Sequence, residues 1–522
     1  MDTDTGMDTG MDKKPPTKHR PVRTTVMMLG VALAAPLVAA QSTEKSAEPK
    51  QSIAVVPRIT ITETWTDNVR LNSTGQPELI TEVSPGIHVD INKARAKGSL
   101  DYAVSGIAYA NSTAGNRTAN ALSSTLQFEA IDDTLFLDVA GAIAQQAISA
   151  FGTQSVDNTS INANRTEVST YRVSPSLKGH LGDVATYSAR YSHSTTSSGT
   201  ASASDNAANE LSLDFKGDIG AKRVSWSADI KNQDVHYSTG RTVEYGTALL
   251  GLAFAFTQRF NVSAQTGIES NNFTSQSKES STVNGAGLAW KPMESTKLMA
   301  VLLHHSYGDT YKVDFDHRTA RTVWHYSDTK QVTPTPGAGS RRSAYDLYFS
   351  QFATTEPDPI ARAQLVNAYL QTYGISPGAM VNTGFAASSM GLEHRQQLSL
   401  ALLGVRDTIT FFAEQSESNR LDTLTTVIDD FTASPTIRQQ ALSGNFSHRL
   451  TPDYSLGLLI SQIKTTGTTS TQSTTLRAAK LSLTGKVGKK TTATFGLRRV
   501  DSENSVNPYS ESAVTASLNL QL

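Results

Sequence analysis

The sequence predicts an all-β fold, a large transmembrane antiparallel β-barrel of about 22 strands within a range of roughly 18 to 26. Three observations carry that expectation: an export signal followed by a chain without cysteine, a period-two alternation that runs to the last residue, and connections that are short and long by turns. Over residues 514–522, Val514, Ala516, Leu518, Leu520 and Leu522 alternate with Thr515, Ser517, Asn519 and Gln521. Successive side chains of a strand point to opposite faces, so this segment has one apolar and one polar face. In a membrane barrel the apolar face meets lipid and the polar face lines the lumen. Hydrophobic residues make up only 38% of 522. One ordinary core is not expected at that length, whereas a barrel needs apolar residues on only half of each strand.

The N-terminus supplies the compartment. Lys13, Lys14, Lys18, Arg20 and Arg23 precede an apolar run over 26–38, and Val38, Ala39 and Ala40 supply small residues for cleavage before Gln41. Such a run is a secretory signal, shorter than the roughly 20 residues of a membrane-spanning helix. Residues 1–40 therefore read as a signal peptide, 41–51 as a periplasmic linker and 52–522 as the barrel, in the outer membrane of a Gram-negative bacterium. With no cysteine there is no disulfide, thiolate metal site or lipid-modified cysteine. Removing five basic and four acidic residues with the signal takes the formal charge from −1 to −2. That balance argues against a nucleic-acid partner.

Alternation recurs along the mature chain. Leu211, Leu213 and Phe215 oppose Ser212, Asp214 and Lys216; Val224, Trp226, Ala228 and Ile230 oppose Ser225, Ser227, Asp229 and Lys231. Tyr311, Val313 and Phe315 alternate with Lys312, Asp314 and Asp316, and Ala479, Leu481, Leu483 and Val487 with Lys480, Ser482, Thr484 and Lys486. Tight links are expected at 93–98, 132–134, 181–183, 218–222, 258–260, 291–295, 317–319, 405–407, 450–453 and 488–490. Ser-, Thr-, Asn- and Gly-rich loops are expected at 72–78, 110–120, 149–165, 193–209, 271–281, 416–435 and 465–474. An even strand number places both termini in the periplasm, and the last strand should pair with the first, over 53–64. Around Leu100, Tyr102 and Val104 the pattern shifts face towards Ile107 and Tyr109, which suggests a bulge. Trp65, Tyr102, Trp290, Trp324 and Tyr454 sit near expected strand ends, as aromatic girdles require.

One segment, 331–390, breaks the rhythm. Asp358 as N-cap, Pro359 at the first helical position and Gly374 at the end predict a helix over 359–373, with Leu365, Val366, Tyr369, Leu370 and Tyr373 as its apolar stripe. By the alternation of loops this insert is extracellular. It caps the mouth, fills the lumen as a plug, or forms a surface subdomain; its residues leave the three open.

No catalytic constellation emerges. His304 and His305 are adjacent on a strand and point to opposite faces, so they cannot share a metal. Asp314 and Asp316 share a face but sit beside Lys312, the mark of a solvated, charge-balanced wall. There is no Gly-x-Ser-x-Gly elbow, phosphate loop or dinucleotide fingerprint. The expectation is a protein that is not an enzyme and carries no cofactor. The candidate lumen residues are Asp214, Lys216, Asp229, Lys231, Lys312, Asp314, Asp316, Lys480 and Lys486. Their mixed signs suit a hydrated neutral or weakly charged solute.

Two stretches carry a resemblance. Trp65-Thr66-Asp67-Asn68-Val69-Arg70-Leu71, followed by Leu79-Ile80-Thr81-Glu82-Val83-Ser84-Pro85-Gly86, resembles the opening of the PEP-CTERM system-associated outer-membrane family. The similarity continues at Arg318-Thr319-Ala320-Arg321-Thr322 and Asp358-Pro359-Ile360-Ala361-Arg362. The resemblance implies an outer-membrane barrel associated with exopolysaccharide production, export or retention. The residues alone equally fit a general porin or solute channel, or a structural barrel that presents its loops to surface partners. Expected partners are outer-membrane lipid, the barrel-assembly machinery and, by the resemblance, a polysaccharide.

Overall fold

The computed structural model describes residues 52–522 apart from 201–204, 221–222, 338–341, 353–361, 364, 367–379, 383, 388, 426–427 and 470–471. The expected signal peptide and linker lie outside the described residues. The strands of the first half are β1 (Ser52–Thr66), β2 (Glu78–Asn92), β3 (Ala96–Tyr109), β4 (Arg117–Ile131), β5 (Leu135–Gln146), β6 (Thr166–Leu181), β7 (Ala185–Ser198), β8 (Asn206–Ile219), β9 (Val224–Tyr237), β10 (Thr242–Thr257), β11 (Phe260–Asn271) and β12 (Glu279–Met293). There follow β13 (Thr296–His305), β14 (Gly308–Arg318), β15 (Thr322–Thr333), the short β16 (Arg342–Ser343) and β17 (Met380–Asn382), β18 (Gly391–Leu403), β19 (Asp407–Arg420), β20 (Thr436–Arg449), β21 (Tyr454–Thr466), β22 (Ser473–Gly488), β23 (Thr491–Asn504) and β24 (Tyr509–Gln521).

Twenty-two of these form one sheet, in which each strand is antiparallel to the next. β15 pairs with β18, leaving β16 and β17 as a separate hairpin within the insert. β24 pairs with β1 from Arg58↔Gln521 to Thr66↔Ala513. The barrel is closed, between the two strands expected to close it. Ten connections at one end are turns of two to four residues, and both β1 and β24 have their free ends there. At the other end most connections are longer, the β9–β10, β13–β14 and β23–β24 links of two to four residues excepted, and this bias is that of an outer-membrane barrel, which puts the end with only short turns in the periplasm.

Why the residues sit as they do follows from two environments outside the wall. Upward from the periplasmic end, the outward residues of β21 are Tyr454, Leu456, Leu458 and Ile460, then Gln462 and Lys464. On β10 they are Phe256, Phe254, Leu252 and Leu250. About four outward apolar residues per strand span roughly 26 Å along the strand and, at a tilt near 40°, about 20 Å along the membrane normal, on the scale of the roughly 25 Å lipid-facing band of such barrels. At its upper edge stand Asn120, Gln145, Asn209, Asn232, Asn284, Gln396, Gln415, Gln440 and Gln462 on the outer face. Above that ring the outside meets water, and the chemistry of the wall inverts. Inward-facing Ile107, Tyr109, Val235, Tyr237, Ile437, Ile463, Leu476, Val500 and Tyr509 are buried there beneath the long connections. A closed barrel with an apolar belt of this height is an outer-membrane protein.

Four details of the sequence reading change. β2 and β3 keep a single register from Ile80↔Tyr109 to Asn92↔Lys97, so there is no bulge at Leu100–Tyr109. The pattern shifts face because Ile107 and Tyr109 face an internal core above the membrane, packed with Val69 and Ile80. Tyr102 is mid-strand, its hydroxyl donating to Asn120 Oδ1 on the lipid side. The connections expected at 193–209 and 416–435 shrink to 199–205 and 421–435, because β7 and β19 continue above the belt as paired strand.

Candidate functional site: the lumen and its loop lid

Register places all nine candidate residues on the inward face, in three separate arcs. Asp214 lies directly opposite Asp229, Lys216 opposite Ser227, and Lys231 opposite Ser212, with its Nζ 3.0 Å from Glu210. Lys312, Asp314 and Asp316 follow one another down β14 towards the periplasm, where Lys312 Nζ is 3.2 Å from Asp314 and Asp316 accepts from His325 Nδ1 at 2.8 Å. Lys480 lies opposite Arg498, and Lys486 opposite Thr492 near the periplasmic end. The structure does not gather them into one site. Neighbouring pairs, Arg190–Asp138 at 2.8 Å and the bidentate Arg58–Asp101 at 2.6 and 2.7 Å, continue the same pattern of local neutralisation. Against β6–β11 the periplasmic half of the lumen holds a cavity of about 790 Å³, lined by His180, Lys216, Ser227 and Gln265 among others.

The extracellular half is different: connections from opposite sides of the wall meet across it. Residues 147–165, between β5 and β6, reach residues 421–435, between β19 and β20. Ser149 Oγ donates to Asp430 Oδ1 at 2.7 Å and the Ala150 amide to Asp430 Oδ2 at 2.6 Å. Ten strands separate these connections one way round the barrel and eight the other. They are nearly diametrical. Asp430 opens α2 (Asp430–Ala433), whose N-cap Asp429 accepts from the Phe431 amide and is paired with Arg420. On one flank Asp422 is held by Arg241 of the β9–β10 connection at 2.9 Å. On the other, Asp157 is held by Arg498 of β23, which also binds Glu511 at 2.7 Å; Thr66 Oγ1 donates to the same Glu511 at 2.8 Å.

The insert joins this layer from inside the barrel. α1 (Ala344–Gln351) buries Leu347 against inward-facing Phe412 and Leu459, and its Tyr348 hydroxyl bonds with Thr410 and accepts from Asn445 Nδ2 at 3.0 Å. Arg362, Ala363, Leu365 and Val366 are helical, and Val366 packs on Tyr348; the rest of the expected 359–373 helix, with Asp358, Pro359 and Gly374, lies outside the described residues. Near its end Phe385 is bonded by Gln146 Nε2 at 2.8 Å, and Met390 is buried with Phe273 and Tyr237. Tyr237 also donates to the Pro334 carbonyl at 2.8 Å, so both roots of the insert are fixed to the wall. The described insert is a lumen element, not a surface subdomain.

Electrostatics tie the lid together. Burial works to raise the Asp157 carboxyl, but Arg498 and Arg165 beside it hold it well below the usual carboxylate range. Burial lowers the Arg165 guanidinium to about 10. Asp430 is pushed up by burial, with Asp429 adding to the effect and the bonds from Ala150 and Ser149 opposing it. His304 and His305 face opposite ways: the first meets Asp309 outside at 2.6 Å, the second is buried on Glu269 at 2.6 Å. Glu269 also accepts from the Ser306 amide and hydroxyl, which holds the two-residue hairpin between β13 and β14. Among the described residues no group of three or more His, Asp or Glu is placed to hold a metal ion.

No family and no curated protein matches the chain by sequence. Among solved structures, the siderophore receptor PirA from Pseudomonas aeruginosa is similar at 9% identity over 91% of this chain and 81% of its own, with a TM-score of 0.43. PirA from Acinetobacter baumannii is similar at 8% over 91% and 81%, with a TM-score of 0.46. The FrpB iron transporter of Neisseria meningitidis, F5-1 variant in apoprotein form, is similar at 8% over 90% and 81%, also with 0.46.

The lid residues were the part that sequence reasoning missed. Asp157-Asn158-Thr159-Ser160 does carry a local signal, an Asx turn in which Asp157 Oδ1 accepts from the Thr159 and Ser160 amides. Its partner Arg498 lies 341 residues away. Nothing in spacing links the two.

Proposed function

We propose that this barrel is an outer-membrane channel for small hydrated solutes, closed at its outer mouth by its own loops. The observation that carries this reading is the meeting of the β5–β6 and β19–β20 connections across the lumen, above a cavity of about 790 Å³ that no periplasmic turn is long enough to cover. A barrel of 22 strands is too wide for wall side chains to fill, so what occupies the mouth decides whether it conducts. Local pairing of the wall charges favours neutral or weakly charged solutes over ions of one sign.

An exopolysaccharide cargo has only the family resemblance behind it, and the wall does not favour it. Of the inward-facing rings, Tyr109, Tyr237, Phe412 and Tyr509 are buried, Tyr245 packs on Phe273 and Tyr307, and Phe136 lies under Lys178 at 4.8 Å. Among the described residues of the wall, a sugar chain would find no open aromatic track. We assign no enzymatic step. His305 spends both ring nitrogens on Glu269 and Thr310, and the Ser306 hydroxyl donates to Glu269, so no serine is paired with a base there.

Liposome swelling with neutral sugars tests the reading. Wild-type barrels should admit them slowly and Arg498→Met barrels, with the lid loosened, much faster. Free permeation by the wild type, or exclusion by a variant whose lid is shown to be undocked, overturns it.

A further inference from the structure

The pairing of wall charges holds for most of the lumen and fails over one arc. On the inward face of β20 to β24 and of β1, register places Arg449, Lys480, Lys486, Arg498 and Arg58 against a single carboxylate, Glu511. Arg498 is spent on Glu511 and Asp157, and Arg58 on Asp101 of β3. Arg449 donates to the Val405 carbonyl at 3.2 Å; among the described residues no ion pair neutralises it, Lys480 or Lys486. The opposite wall has the opposite balance. β9 stands eleven strands from β22 in a ring of twenty-two, and on the inward face of β8 and β9 Glu210, Asp214, Asp218 and Asp229 outnumber Lys216 and Lys231.

Between the two lysines of β22 the wall is made of hydroxyls. Below Lys480 the rows read Ser482, Gly496, Thr515 and Thr64, then Thr484, Thr494, Ser517 and Thr62, then Lys486, Thr492, Asn519 and Thr60. No apolar side chain interrupts these rows. Lys480 and Lys486 are six residues apart on one face, roughly 20 Å along the strand. Lys480 folds down over Gly496, where its Cε passes 3.9 Å from the point a Cβ would occupy. Lys486 is exposed near the periplasmic end, and Ser482, Thr494, Thr515, Ser517 and Thr62 are half-buried, so solvent reaches them.

We propose that this arc is a track for small oxyanions, carboxylates or phosphates, running between the periplasmic opening and the Lys480–Arg498 row beneath the lid. The wall supplies what an oxyanion loses with its water: hydroxyls that turn their O–H towards it, and an ammonium group at each end. Hydroxyls accept as readily as they donate, so by themselves they would serve a cation equally. The surplus of positive charge decides. The acidic wall opposite adds to it by drawing cations to its own side. That assignment rests on the lumen being a solute path and adds the charge of the solute.

The chain has no cysteine, so a single one reports the local potential. Thr494→Cys, in the middle of the track, and Ser227→Cys, on the opposite wall, are each treated in the full-length barrel in nanodiscs with an anionic and a cationic thiosulfonate at low ionic strength. Relative to a free thiol in solution, the anionic reagent should be favoured at least about fivefold at Thr494→Cys, and the cationic one should be favoured at Ser227→Cys. Adding Lys480→Gln and Lys486→Gln should erase the preference at Thr494→Cys; the comparison of the two sites stands even if that variant does not fold. Millimolar acetate or inorganic phosphate should slow labelling at Thr494→Cys more than chloride at the same ionic strength, and the stronger of the two names the preferred oxyanion. Equal rates of the two reagents at Thr494→Cys overturn the proposal. So does a preference that survives loss of both lysines in a folded barrel, and so does labelling that neither oxyanion slows beyond chloride. Both reagents enter from the periplasmic opening, so a barrel that never conducts and fails liposome swelling still answers this test. One that swells liposomes without the preference has an evenly paired wall.

Discussion

Arg498 holds two carboxylates at once. Its side chain is 11% exposed, between Asp157 and Glu511. Removing one partner from a buried ion pair costs about 3–5 kcal/mol, because the remaining charge has neither water nor counterion. Arg498→Met should therefore undock residues 147–165 while the β23 ladder stays intact. Spin-label mobility at an Ala163→Cys site, in a chain with no other cysteine, reports this directly. The two acids of the lid respond to pH in opposite senses. Asp157 is depressed, so its contribution is complete above the ordinary value of about 3.9 and is lost only as pH falls through its lower folded value. Asp430 is raised by burial, so its net contribution to docking is complete below about 3.9 and weakens as pH rises through the interval up to its folded value, the bonds from Ala150 and Ser149 offsetting only part of the cost of burying the charge. The same label should loosen slightly across that upper interval in the wild type. In Asp430→Asn it should show no such step.

At the scale of elements, α1 is fixed by a few side chains. Leu347→Ala leaves a cavity against Phe412 and Leu459 and should destabilise the docked helix by about 2–5 kcal/mol. The check is protease cleavage within 344–351, appearing while the heat resistance of the barrel band on a gel is unchanged. Strand elements were legible because their pattern is local. All ten periplasmic turns and the closing pair could be read from alternation, since lipid imposes one rule on every outward residue of the belt. The lid could not. Its contacts join residues such as Ser149 and Asp430, 281 positions apart, through Ser, Asn and Asp side chains that resemble any polar loop. Ile107 and Tyr109 misled for a related reason. Above the bilayer the inside of the wall becomes the apolar side, so one strand obeys two opposite rules along its length.

The whole molecule is a stack of two environments, a lipid-facing belt below and a loop-filled, water-surrounded collar above. The belt sets a sharp expectation on a single strand. Leu458→Arg, in mid-belt on β21, should cost about 2–4 kcal/mol, whereas Gln462→Arg, four residues higher, should cost about 1 kcal/mol or less. Reversible folding into lipid vesicles measures both, and equal costs would move the membrane boundary argued from the Asn and Gln ring. The collar sets the function, because opposed connections close what would otherwise be a wide pore. A cysteine pair at Ser149→Cys and Asp430→Cys tests that closure most directly. The account predicts that the pair forms a disulfide under mild oxidation and that single barrels in planar bilayers then lose any residual conductance, recovering it on reduction. A disulfide that forms while conductance stays at the wild-type level would contradict it.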